Sequence, residues 1–390
     1  DGGAVWGRGC QDDKGPVIQM LYAMHVLKQL NRPLARGARL IVGTAEECGD
    51  WADIKAYLAA NRPPQISIVS DAAFPIINGE KGMLNLVMQA SMELGEASES
   101  GDIHFLSALA GERANIVPPV AVLTFSGDSQ AAFEQLSNEL NRYWQKSLET
   151  RGARIRELGI EEPKIERSDS AIQIIFHGKG AHGSTPEEGY NAALDMLEFM
   201  TQTSSMSDDE ADMAGFLWES GRGLYGETLN IDERHPFIGP TTVNLGVVRW
   251  EGSSVQATFN IRNTMGLSVV ETIRRAGQKF SDFAEETGFS VEVAPNGKTM
   301  EPIYVDPAQH PDFIEALRDA YSLFTGREAT LHAIGGTTYA KAFPNAVCFG
   351  PVDPSEEQEL AHQAEEHVRV EHLLRNVKIY AYALARLCAA

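Results

Sequence analysis

The run Leu40-Ile41-Val42-Gly43-Thr44-Ala45-Glu46-Glu47 decides how the rest of the chain is read. A short run that is apolar throughout reads as a strand covered on both faces, as in a parallel sheet. The carboxylates at its end fall where open α/β sheets build ligand sites. Upstream, Val17, Met20, Leu21, Met24, Leu27 and Leu30 share one face at helical spacing. With Pro16 near the first turn and Asp12 and Asp13 just ahead of it, they predict a helix over 17–30. Downstream, a second helix is expected over 51–60, and Ile66-Ser67-Ile68-Val69 runs as a strand into Ser70-Asp71. Helix and strand alternating in this manner predict parallel α/β units.

Between 83 and 298 the rhythm changes. Alternating patterns predict strands over 84–90, 171–176, 242–250 and 257–262, separated by helices over 129–146, 189–203 and 268–287. Ser268 with Glu271 three residues later is a capping-box signature, and Gly288 closes that helix. The parallel style returns with a helix over 311–324, a strand over 346–349 and a last amphipathic helix over 368–387. The expected organisation is an α/β domain with a mostly parallel sheet, formed by 1–82 and 299–390 and split by an α+β insertion at 83–298.

The composition bounds the function. A chain of 390 residues is long enough for two or three domains. Its 33 basic and 54 acidic residues leave a net charge of −21, a field that repels phosphate backbones and anionic membrane surfaces. Neither nucleic acid nor a membrane is an expected partner, and no apolar run approaches the roughly 18 residues of a membrane span. The four cysteines, Cys10, Cys48, Cys348 and Cys388, show no paired short spacing, which favours a reducing, cytoplasmic setting. Cys10 and Cys48 are expected to pack beneath the acidic motifs rather than bind metal.

Asp12, Glu46, Glu47 and Asp71 all belong to loops at strand ends or helix starts. Carboxylates gathered at one sheet edge either repel one another or share cations. Neighbouring side chains at a strand end point different ways, so one member of Glu46-Glu47 can bind metal while the other faces a water. Taken singly, each has an ordinary alternative. Glu46-Glu47 reads more often as a solvated acidic turn and Asp12-Asp13 more often as a helix-capping cluster, and Asp71 as a strand-end residue is a weaker signal still; their joint placement is what points to a site.

The segments Gly7-Arg8-Gly9-Cys10-Gln11-Asp12-Asp13-Lys14-Gly15, Gly43-Thr44-Ala45-Glu46-Glu47 and Ser70-Asp71-Ala72, with Asn78-Gly79-Glu80-Lys81-Gly82, resemble those of the PepV-type dinuclear zinc dipeptidases. Aminoacylase, carnosine dipeptidase and succinyl-diaminopimelate desuccinylase belong to the same superfamily. The resemblance runs from the first residues to the last helix. It implies a zinc-exopeptidase-like catalytic domain, an inserted lid or dimerisation domain, and two Zn²⁺ ions. Asp12 would bridge the ions, Glu47, Asp71 and His362 would be terminal ligands, and Glu46 would be the general base. In the insertion, His182 of Gly180-Ala181-His182-Gly183 would steady the oxyanion, while Asn115 and Arg262 would grip the substrate. Gly335, Gly336 and Thr337 would form a substrate loop.

Each of these residues also has a plainer reading: His182 satisfying loop carbonyls, His362 in a surface loop, Arg262 in a surface ion pair, Asn115 in a turn before Pro118-Pro119. The superfamily's His-x-Asp motif does not precede Asp12, so the chain is expected to be a fragment lacking the front of its catalytic domain. The activity implied is hydrolysis of dipeptides with release of the amino-terminal residue. The alternatives are an N-acyl amino acid deacylase on the same site, or a non-catalytic binding or dimerisation relative. The implied partner is a small peptide substrate, with the chain either a homodimer through the lid or a monomer.

Overall fold

The computed structural model describes residues 3–31, 33–92, 103–127 and 129–389. The chain divides into two units, one formed by Asp1–Lys81, Pro236–Ile238 and Pro302–Ala390, the other by Gly82–His235 and Gly239–Glu301.

In the first unit, the strands Ile303–Tyr304, Ile76–Glu80, Ala346–Cys348 and Ser67–Val69 lie side by side, and Leu331–Ile334 also pairs with Ile76–Glu80. Ala346–Cys348 runs parallel to Ser67–Val69, and Leu331–Ile334 parallel to Ile76–Glu80, while Ile303–Tyr304 is antiparallel. Helices Lys14–Leu30, Pro311–Thr325 and Val370–Cys388 cover this sheet. Their apolar stripes bury Met20, Phe313, Leu317, Ile379 and Tyr380 against Ile76, Val347 and Phe349. Full burial of such side chains is worth about 1.5–3 kcal/mol each. A short antiparallel pair, Ala4–Trp6 with His367–Arg369, ties the start of the chain to the segment before the last helix.

The strand expected over 40–43 does not form. Those residues belong to no ladder among the described residues, and Val42 is 54% exposed rather than covered on both faces. Its apolar run satisfies the pattern, but a strand exists only through a hydrogen-bonded neighbour.

In the second unit, eight antiparallel strands follow the order Ser290–Pro295, Leu84–Ser91, Ser254–Arg262, Thr242–Glu251, His104–Ala110, Val120–Ser126, Ala171–His177 and Lys164–Arg167. Alternation puts Leu84, Leu86 and Met88 of one strand and Ile172, Ile174 and Phe176 of another into a single core. Helices Gln130–Leu158, Ala192–Met200, Asp208–Arg222 and Val269–Thr287 belong to this unit.

Two local readings are revised. The helix expected over 129–146 continues to Leu158, because Arg151 on its polar half finds Asp195 at 2.7 Å and Glu198 at 2.8 Å. Ser268 caps its helix by accepting from Glu271 N, but the Glu271 carboxylate turns to Arg274 and Arg275. The complete capping box is Ser207 with Glu210.

Candidate metal centre

The loop before helix Lys14–Leu30 carries Asp12 and Asp13. Asp13 occupies the helix N-cap position yet makes no side-chain cap hydrogen bond, so capping does not account for it. The loop before helix Ala52–Ala60 carries Glu46 and Glu47. It is braced by Trp51, whose ring N–H donates to the Glu46 carbonyl at 3.2 Å. Asp53 accepts from Ala45 N at 3.0 Å and from the Tyr339 hydroxyl at 2.8 Å. Asp71 lies just past strand Ser67–Val69, with Ser70 between. His362 sits in a turn with φ of +64°, the left-handed region that a non-glycine residue adopts only when its surroundings impose it.

Folding brings three of these side chains together. His362 Nε2 lies 2.8 Å from Glu47 Oε1 and 2.9 Å from Asp12 Oδ2, and one donor atom from each residue falls within 4.8 Å of the others. The electrostatics extend the group. Burial first, then the charges of Asp13, Glu46, Asp12 and Glu47, push the Asp71 carboxyl up to about 9. Burial, with Asp12 and Glu46, pushes Asp13 up to about 8. Asp12 is raised by burial and by its hydrogen bond with Glu47. Burial also pulls Glu47 upward, but hydrogen bonds from His362 and Asp12 outweigh it and hold Glu47 low. His362 is raised chiefly by the Glu47 hydrogen bond.

Asp13 Oδ1 is buried with no hydrogen-bond partner. Like charges that cannot all ionise, an orphaned carboxylate oxygen, and a donor set of oxygens with one imidazole nitrogen fit a divalent cation. Asp13 and Asp71 are too buried, and their carboxyls too far raised, for a solvated acidic loop, whereas Glu47 and His362 are more than half exposed.

Gly335, Gly336 and Thr337 lie in the loop between strand Leu331–Ile334 and the short helix Tyr339–Ala342 of the same unit. A Cβ at Gly336 would come no nearer than 3.4 Å to Ile334, so packing does not demand glycine there. The Thr337 hydroxyl is buried without a partner. Thr338 is anchored to buried Glu80, its hydroxyl at 2.7 Å and its N–H at 3.2 Å.

Asn115, His182 and Arg262 belong to the second unit. Gly183 N donates to Asn115 O at 2.7 Å, and His182 Nδ1 pairs with the Ser184 hydroxyl at 2.7 Å. Burial, then the charge of Arg262, lowers the His182 imidazole. Arg262 itself is 4% exposed, bonds Asn260 Oδ1 at 3.2 Å, and is lowered by burial to about 10. It is therefore no surface ion-pair residue.

Sequence reasoning missed Asp13, masked by its ordinary appearance as a cap. It also missed Gln11, Asp53, Glu80 and Glu366, whose partners lie far along the chain. Cys48 is exposed and Cys10 half-buried, so neither packs fully beneath the motifs, because the loops that carry them run along the surface. No helix among the described residues is long and apolar enough to cross a membrane.

The sequence model of Peptidase family M20/M25/M40 matches residues 1–386, and the chain belongs to that family of metallopeptidases. A Bacillus subtilis (strain 168) protein named "Putative dipeptidase YtjP" is 30% identical over 387 residues, covering 99% of this chain and 77% of that one. A Staphylococcus saprophyticus relative with a name of the same form is 29% identical, covering 98% of this chain and 76% of its own. Two solved structures share the fold at 13% identity. A tripeptidase from Staphylococcus aureus has a TM-score of 0.52 over 96% of this chain and 70% of its own. The M20 family metallo-carboxypeptidase Sso-CP2 from Sulfolobus solfataricus has a TM-score of 0.51 over 98% and 78%.

Proposed function

We propose that the protein hydrolyses dipeptides, releasing the amino-terminal residue at a site that takes two zinc ions. The observation that carries this reading is the convergence of Asp12, Glu47 and His362 donor atoms within 4.8 Å in a member of a peptidase family. The dipeptidase names of the relatives support the substrate class.

Asp12 would hold both ions, with Glu47, Asp71 and His362 as terminal ligands. When bound, zinc supplies Lewis acidity that brings the pKa of a water from 15.7 toward ~7 and polarises the scissile carbonyl. Glu46 takes the proton of the attacking water and returns it to the leaving amine. The lowered pKa of His182 keeps its imidazole neutral near pH 7, suited to donate a hydrogen bond to the developing oxyanion. Arg262 offers a planar fork for a substrate carboxylate, and Asn115 a neutral amide for its backbone. Backbone N–H groups at Gly335 and Gly336 approach a ligand without side-chain obstruction, and Thr337 brings an unpaired hydroxyl. The first unit, which holds the proposed ligands, is read as catalytic and the second as the inserted lid.

The test is zinc content together with amino-acid release from a dipeptide panel and an N-acetyl amino acid, with and without chelator. Chelator-sensitive release from dipeptides is expected. Preference for the acetylated substrate makes the protein a deacylase, and zinc-independent or absent turnover refutes the metallodipeptidase reading.

A further inference from the structure

Glu366 carries a carboxylate that is 1% exposed and is not among the residues converging on the proposed cation site. Its Oε1 accepts from Gln11 N at 2.8 Å and Asp12 N at 3.1 Å; its Oε2 accepts from Gly9 N at 2.9 Å and Arg8 Nη1 at 2.8 Å. Three backbone N–H groups of one loop thus converge on a single side chain some 355 positions away. Gly9, at φ of +91°, lets that loop curl its amides inward, forming the kind of nest that binds anions.

Gln11 closes the same junction from the other side. It is 3% exposed; its amide donates to Gln358 O at 3.1 Å and His367 O at 3.0 Å, and its carbonyl accepts from Leu360 N at 2.7 Å. Gly7 N adds a bond to Glu366 O at 2.9 Å. The loop bearing Asp12 and the turn bearing His362 are therefore joined by residues that touch no reacting atom. Such bracing is what a non-glycine residue at positive φ, His362, requires in order to persist.

We infer that Glu366 is a positioning residue of the metal centre: by accepting the N–H groups of Gly9, Gln11 and Asp12 it sets the spacing between Asp12 and His362 on which cation affinity depends. The inference rests on the reading of Asp12 and His362 as ligands. Partners that orient ligands in this way typically govern affinity by 10- to 100-fold.

Glu366→Gln tests it, because an amide presents a donor where one of the two accepting oxygens stood. Zinc affinity is measured by competition with a chromophoric chelator on the folded protein, alongside circular dichroism and thermal unfolding without metal. The expected result is a 10- to 100-fold loss of zinc affinity in the folded fraction, with Glu366→Asp intermediate. A purely structural role would lower the melting temperature and leave that affinity within threefold of wild type, which overturns the inference. If Glu366→Gln does not fold, Glu366→Asp decides: its shorter carboxylate cannot reach Gly9 N and Asp12 N together, and unchanged affinity overturns the inference. A wild-type protein that binds no zinc removes the metal-centre reading itself, an outcome distinct from wild-type binding with unaffected variants.

Discussion

His362 Nε2 stands 2.8 Å from Glu47 Oε1, although 315 positions separate the two residues in the chain. The pair joins the turn of His362 to the loop that carries Glu47, and its charge state follows from geometry. His362 is raised, so its contribution to metal-free stability is present below about 6.5 and lost as pH rises through its folded value. Glu47 is lowered, so its contribution is present above about 4.5 and lost as pH falls through its own. The pair therefore acts mainly between those limits, and weakly, because both side chains are more than half exposed. The His362 ring should titrate above 6.5 by NMR without metal and cease to titrate when zinc is added.

Asp13 and Asp71 set a wider pH dependence. Their folded values, about 8 and about 9, lie above the unfolded carboxylate value. Stability is fully present below about 4 and lost as pH rises through those values. Metal-free protein should thus melt progressively lower from pH 5 to pH 9, and Asp71→Asn should flatten the slope. Zinc binding at pH 7 should release protons from these two carboxyls and from the raised His362, read by calorimetry in buffers of different ionisation enthalpy. No proton release would exclude these two carboxyls as protonated members of the centre.

Glu46→Ala separates base from ligand. Turnover should fall by roughly 10²- to 10⁴-fold while zinc content is retained. A variant with near wild-type turnover would show that proton transfer runs elsewhere.

Arg151 neutralises a carboxylate deep in the second unit. Asp195 is 2% exposed, is raised to about 6 by burial despite Arg151, and accepts from the Tyr190 hydroxyl at 3.0 Å. Arg151→Met should destabilise the protein by about 3 kcal/mol at neutral pH, with a smaller loss near pH 5 where Asp195 can protonate. Urea unfolding at the two pH values checks both size and sign.

Arg262 and His182 are linked by charge. Removing the guanidinium with Arg262→Met should move the His182 titration upward, since Arg262 is the second cause, after burial, of its depression. Dipeptide KM should rise more than kcat falls.

Much of this was legible from residue patterns. Strand alternation at 84–90 and 171–176 and the helices at 17–30, 268–287 and 311–324 follow from side-chain period and caps, properties of short windows. The second half of helix Gln130–Leu158 was hidden because its polar surface is supported by Asp195 and Glu198 from another helix. The run at 40–43 failed in the opposite sense: a strand-like pattern with no ladder partner among the described residues.

The sequence by itself determined the family, and it nominated Asp12, Glu46-Glu47, Asp71 and His362 for the proposed site because they sit in motifs whose order resembles that family's. Only the tertiary structure decided which of them meet, that one carboxylate oxygen of half-buried Asp13 is left without a partner, and that Glu366, one more glutamate after Glu365, faces inward to three backbone amides. The reason is physical: pattern records local periodicity and charge, whereas burial and hydrogen-bond geometry arise only when segments hundreds of residues apart close on one another.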